Sequence, residues 1–110
     1  MDDSERRKQI RIYKPYTALF YVDGTNESGP VTLQNLSSGG MAFLYTRSLP
    51  EGTMVSAKIN FPPADGPVFI KGQVIRSVPR GSLYVTAVGF FEIAEKDREA
   101  IDRFAKQFSK

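Results

Sequence analysis

Asn35-Leu36-Ser37-Ser38-Gly39-Gly40 lies between the apolar Val31 and Leu33 and a second apolar run that starts at Met41. In extended chain, residues two apart face the same way, so Asn35 and Ser37 would present an amide and a hydroxyl side by side. Gly39 and Gly40 add bare backbone, which permits positive φ or the close approach of a ligand that a Cβ would block. The same residue types are the commonest turn formers, and taken alone the hexapeptide reads as a hairpin turn. A second group able to do chemistry lies upstream. Arg6, Arg7, Lys8, Arg11 and Lys14 fall within nine positions, directly after the acidic Met1-Asp2-Asp3-Ser4-Glu5. Such a block is ordinarily a solvated terminal arm, and it is also a natural anion catcher.

The missing residue types narrow the chemistry. The chain has no histidine and no cysteine, which removes the usual zinc, thiolate and Ser-His arrangements and any disulfide framework. The carboxylates sit in the first five positions, at scattered turns and on one C-terminal segment, where solvated charge explains them. The expectation is a protein that is not an enzyme, with no catalytic residues, no metal and no cofactor. No apolar run approaches the roughly 20 residues of a membrane-spanning helix, and the N-terminus lacks the apolar core of a secretory signal. A cytoplasmic location without membrane insertion is therefore expected.

One hundred and ten residues, 41% of them hydrophobic, suit one compact domain with one core. The elements that must position the two polar groups follow from periodicity. Tyr16, Ala18, Phe20 and Val22 alternate with Thr17, Leu19 and Tyr21 as a first strand, Asp23-Gly24 and the polar run Asn26-Glu27-Ser28-Gly29-Pro30 supply a turn, and Val31 and Leu33 begin a second strand that ends in the hexapeptide. Met41, Phe43 and Tyr45 mark a third. Val55, Ala57, Ile59 and Phe61 give the cleanest alternation, a half-buried fourth strand. Residues 68–78 resume extended chain, with Gly72 a candidate bulge, and Pro79-Arg80-Gly81-Ser82 reads as a turn before a sixth strand over residues 83–93. The period then changes: Ile101, Phe104, Ala105 and Phe108 recur at spacings of three and four, predicting an amphipathic helix over residues 95–108. Glu99 with Arg103 and Asp102 with Lys106 are spaced to pair on its outer face, and Phe104 and Phe108 are expected to plug the sheet. The fold expected is all-β with one C-terminal helix, a small six-stranded antiparallel barrel over residues 15–110 preceded by a flexible basic arm over residues 1–14.

Two features thus stand in order, Arg7-Lys8-Gln9-Ile10-Arg11 and Asn35-Leu36-Ser37-Ser38-Gly39-Gly40. Together they resemble the PilZ family, whose pattern is RxxxR followed a few tens of residues later by [D/N]xSxxG. Arg7 and Arg11 match the first part, Asn35, Ser37 and Gly40 the second, and Gly89 and Phe91 are similar to the Gly-x-Phe of the family's last strand. The resemblance implies a receptor for cyclic di-GMP, a bacterial second messenger with two guanines and two phosphodiesters in one ring. It implies Arg7 and Arg11 on phosphate or guanine faces, which suits arginine's planar fork. Asn35 and Ser37 would then read guanine edges, with Gly40 leaving room for the ligand. Arg6, just before RxxxR, is compatible with a stacked dimer of the dinucleotide. Arg76 is a possible further contact from the sheet. A protein effector is the implied output partner. Two other readings stand beside this one: a PilZ-like interaction module that binds no nucleotide, and a small barrel that binds single-stranded nucleic acid. The few cations on the strands make a nucleic-acid polymer the less expected partner.

Overall fold

The computed structural model describes residues 10–108, the side chain of Phe108 excepted. Arg6 and Arg7 lie outside the described residues. Six strands, β1 (Thr17–Val22), β2 (Ser28–Ser37), β3 (Gly40–Tyr45), β4 (Met54–Ile59), β5 (Val68–Arg80) and β6 (Leu83–Ile93), precede one helix, α1 (Glu95–Phe108). All strand pairs are antiparallel, and the strands close into a barrel in the order β1-β2-β3-β6-β5-β4. Closure comes from β1 meeting β4, with Ala18 opposite Ile59 and Val22 opposite Val55. A closed barrel leaves no bare edge to template aggregation.

The alternation read from sequence fills the interior. Ala18, Phe20 and Val22 of β1, Val55, Ala57 and Ile59 of β4, and Val68, Ile70 and Val74 of β5 are all buried. Phe20 packs on Phe43 with ring centroids 4.9 Å apart and meets Tyr45 edge-on at 5.2 Å. At the helix-covered end, Tyr16 and Phe104 each meet Phe61 edge-on, at 5.2 and 5.6 Å. Helix α1 buries Ile101 and Ala105 beside Phe104, so its apolar stripe is a barrel plug. Burial of each large side chain of this kind contributes roughly 1.5–3 kcal/mol. Among the described residues Glu99 and Arg103 form no ion pair; Arg98 and Glu95 stand 4.0 Å apart. Exposed pairs of this kind contribute at most about 1 kcal/mol, too little to fix their geometry.

Two prolines expected in turns lie inside strands. Pro30 sits opposite Leu19, and Pro79 opposite Tyr84. Leu33 donates its N–H to Tyr16 of the chain leading into β1, so by alternation position 30 points its nitrogen the other way, where β3 does not reach. Pro79 lies beyond the end of β4, whose last pair with β5 is Met54 with Gln73. In neither place is a ladder donor needed, which is the condition for proline in a strand. Strand β5 therefore continues to Arg80. The β5–β6 hairpin projects past the barrel and turns at Gly81 (φ 64°) and Ser82. The register of β5 against β6 shifts at Lys71/Gly72, where a bulge was expected, and again between Val74 and Arg76.

Candidate functional site

The hexapeptide is a hairpin closed by the pair Ser37 and Gly40, with Ser38 and Gly39 as its two-residue turn. The Ser37 hydroxyl is fully buried; it accepts from the Gly39 N–H at 3.3 Å and donates to the Gly40 carbonyl at 3.4 Å. It thus ties the turn together, a local side-chain bond that serine commonly makes. The Gly39 carbonyl accepts from the Phe90 N–H at 2.9 Å, which fastens the turn to β6. Neither Gly39 nor Gly40 has positive φ. What Gly40 requires is close approach: it pairs with Gly89, and a Cβ added to it would lie 2.6 Å from the Val88 carbonyl oxygen. The barrel itself thus demands glycine at position 40.

Asn35 is placed differently from Ser37. The register of β2 shifts between Leu33 and Asn35, so Gln34 is the extra residue of a bulge and Asn35 stands opposite Ala42. Bulges redirect side chains; Gln34 and Asn35 are both half-buried, whereas Leu36 and Ser37 are buried. Ala42 pairs in turn with Ala87, and Ala87 with Arg76. Met41 and Phe43 point inward, so this row faces outward as a shelf of two small residues between Asn35 and Arg76, with Ala42 covered and Ala87 half-buried.

Arg11 comes to this shelf from the arm. Its Nη1 donates to the Asn35 Oδ1 at 2.6 Å, which joins the two motifs across 24 positions. Ile12 explains how Arg11 is held. It bridges Leu36 through two backbone hydrogen bonds of 2.7 and 2.9 Å and buries its side chain in the core. Ile12 thus already packs as part of the barrel. Hydrophobic burial and a paired backbone outweigh the local basic charge there.

Sequence reasoning passed over two residues that the fold brings to the same shelf. Arg80, near the tip of the β5–β6 hairpin, donates from Nη1 to the Gln34 Oε1 at 2.8 Å. Arg80 read as part of a turn and Gln34 as an ordinary strand residue; the signal that links them is the bulge, which sequence periodicity does not show. A separate polar cluster joins the β1–β2 connection to the end of β3. Arg47 donates to both Glu27 carboxylate oxygens, from Nε at 2.9 Å and Nη2 at 2.5 Å, and Tyr45 donates its hydroxyl to the same carboxylate. These bonds, from Arg47 first and then Tyr45, pull the Glu27 carboxyl down to about 2, while burial and then Glu27 push the Tyr45 phenol up to about 12. At neutral pH the cluster is an ionised pair with a protonated phenol, a staple between connections.

Among the described residues no group of histidine, cysteine or acidic side chains could hold a metal, and no helix is long and apolar enough to cross a membrane. A hollow of about 490 Å³ lies on the outer faces of β1 and β4, lined by Leu19, Lys58, Phe61 and Pro62 among others, and shares no residue with the shelf.

The chain resembles several solved structures. The inhibitor of motility MotI/DgrA of Bacillus subtilis aligns with a TM-score of 0.80 at 19% identity, over 93% of this chain and 50% of that one, so the chain spans half that protein's length. The PilZ domain of Escherichia coli YcgR with c-di-GMP aligns at 0.63 and 21% identity, over 93% of this chain and 90% of that one. The Klebsiella MrkH–c-di-GMP complex aligns at 0.69 and 16% identity, over 93% and 52%. Comparison with curated protein sequences finds no match. The PilZ domain model matches residues 5–107, which takes in both motifs, all six strands and nearly all of the helix, and the chain belongs to the PilZ domain family.

Proposed function

We propose that this chain is a cyclic di-GMP receptor that binds the dinucleotide on the outer shelf of β2 and β3 and regulates a protein effector through the changed surface. The observation that carries the reading is the Arg11–Asn35 hydrogen bond of 2.6 Å, which sets the second arginine of RxxxR against the first residue of NxSxxG. Arg7 and Arg11 engage phosphate and guanine, Arg6 supports a second, stacked dinucleotide, and Asn35 reads a guanine edge. Ser37 acts by shaping the turn and Gly40 by keeping the backbone low beside it. The family membership and the c-di-GMP in the YcgR and MrkH structures support the ligand class. The receptor is regulatory, not an enzyme, and works in the cytoplasm.

Isothermal titration of the folded chain with cyclic di-GMP tests the reading. Heat of binding is expected for the wild type, and its loss or a drop of at least about tenfold in affinity for Arg7→Ala and Arg11→Ala, because each removes charge-assisted bonds worth about 1.5–3 kcal/mol. A folded wild-type chain that gives no heat sinks the receptor reading.

A further inference from the structure

We propose that Arg80 is a further ligand-contacting residue of the nucleotide site, positioned by Gln34 to take the dinucleotide's second phosphodiester opposite the one held by Arg11. The inference rests on the receptor reading and adds to it a contact from the β5–β6 hairpin that neither RxxxR nor NxSxxG contains.

The geometry is a repeated device. Gln34 and Asn35 are consecutive, with Cα atoms about 3.8 Å apart, and the bulge sets both opposite Ala42. Each amide oxygen accepts one arginine, Asn35 taking Arg11 at 2.6 Å and Gln34 taking Arg80 at 2.8 Å. One arginine arrives from the arm and the other from a hairpin 46 positions downstream. Two guanidinium groups therefore converge on adjacent residues from different sides, matching a ring that carries two phosphodiesters.

The charge of the holding group argues for a ligand. Arg47 is held by the Glu27 carboxylate, which cancels its charge. Arg11 and Arg80 are held by neutral amides, and among the described residues neither has a carboxylate within ion-pair distance. A neutral amide fixes a guanidinium by one bond and leaves its full charge and its remaining donors for an anion. With both oxygens turned to the arginines, the amide N–H groups of Gln34 and Asn35 make no hydrogen bond among the described residues and are donors for guanine oxygen or nitrogen. The scaffold is firm: Arg80 sits between Pro79, which fixes φ, and the tight turn at Gly81, so the hairpin presents it with little backbone freedom.

Calorimetric titration of the full chain with cyclic di-GMP, for the wild type, Arg80→Ala and Gln34→Glu, tests the proposal. Arg80→Ala is expected to weaken binding by about tenfold or more with an unchanged melting temperature. Gln34→Glu separates ligand contact from a structural role. A carboxylate there grips Arg80 more tightly and neutralises it, so the unliganded barrel melts no lower while affinity falls; a structural bond would leave affinity untouched. Affinity within about twofold of wild type for either variant overturns the proposal and leaves the receptor reading standing, whereas a wild type that gives no heat removes both.

Discussion

At the scale of single residues, what holds an arginine decides what it can do. Arg47 is spent on Glu27, and the pH dependence of that pair is readable. The Glu27 carboxyl titrates near 2 in the folded chain against an ordinary 4.5, so between these values the unfolded chain binds more protons than the folded one. The stabilisation it brings is fully present above about pH 4.5 and is lost as pH falls toward 2. Glu27→Gln is expected to lower the melting temperature modestly at pH 7 and to approach the wild type progressively as pH falls from 4.5 toward 2, measured by thermal melts at stepped pH. A gap that stays constant to pH 3 would mean that packing, not charge, sets the effect. Of the site residues the sequence motifs point to Arg11, Asn35, Ser37 and Gly40. They leave Gln34 and Arg80 unmarked, because a contact across 46 positions is set by a bulge and by barrel closure.

At the scale of elements, all six strands and the helix are legible in the alternation and its change of period after Ile93, since inward side chains must be apolar for the barrel to have a core. Strand ends were less legible. Pro30 and Pro79 read as turns by local chemistry, yet both lie where no neighbouring strand asks for an amide donor. Strand order was not legible either, because β3 beside β6 and β1 beside β4 follow from closure and not from any local pattern. The arm shows the same competition. Basic composition suggests a free segment, but Ile12 buries its side chain and pairs with Leu36, so the anchor sits one residue after Arg11. Ile12→Ala is expected to cost about 2–5 kcal/mol of stability, as for a buried large-to-small change, and to weaken cyclic di-GMP binding because Arg11 is no longer held against Asn35. Urea denaturation beside calorimetric titration checks both; stability loss with unchanged affinity would show that Arg11 finds its place without the bridge.

At the scale of the whole molecule, the barrel is a rigid frame on which three separate pieces of chain, the arm, the β2–β3 hairpin and the β5–β6 hairpin, meet at one surface. A ligand that contacts all three binds only the folded arrangement, so its binding free energy adds to folding stability. At a free ligand concentration one hundred times the dissociation constant the gain is about 2.7 kcal/mol. For a domain of this size each kcal/mol moves the melting temperature by roughly 4 °C or more, so saturating cyclic di-GMP is expected to raise it by on the order of 10 °C. The rise should continue logarithmically with ligand concentration beyond saturation, which distinguishes linkage from a nonspecific salt effect. The comparison that isolates the arm uses a chain beginning at Ile10. It keeps the Ile12 bridge and Arg11 but lacks Arg6 and Arg7, so its ligand-induced rise, measured from its own melting temperature without ligand, should shrink. An equal rise in the shortened chain would place the whole site on the barrel and remove the first two arginines from it.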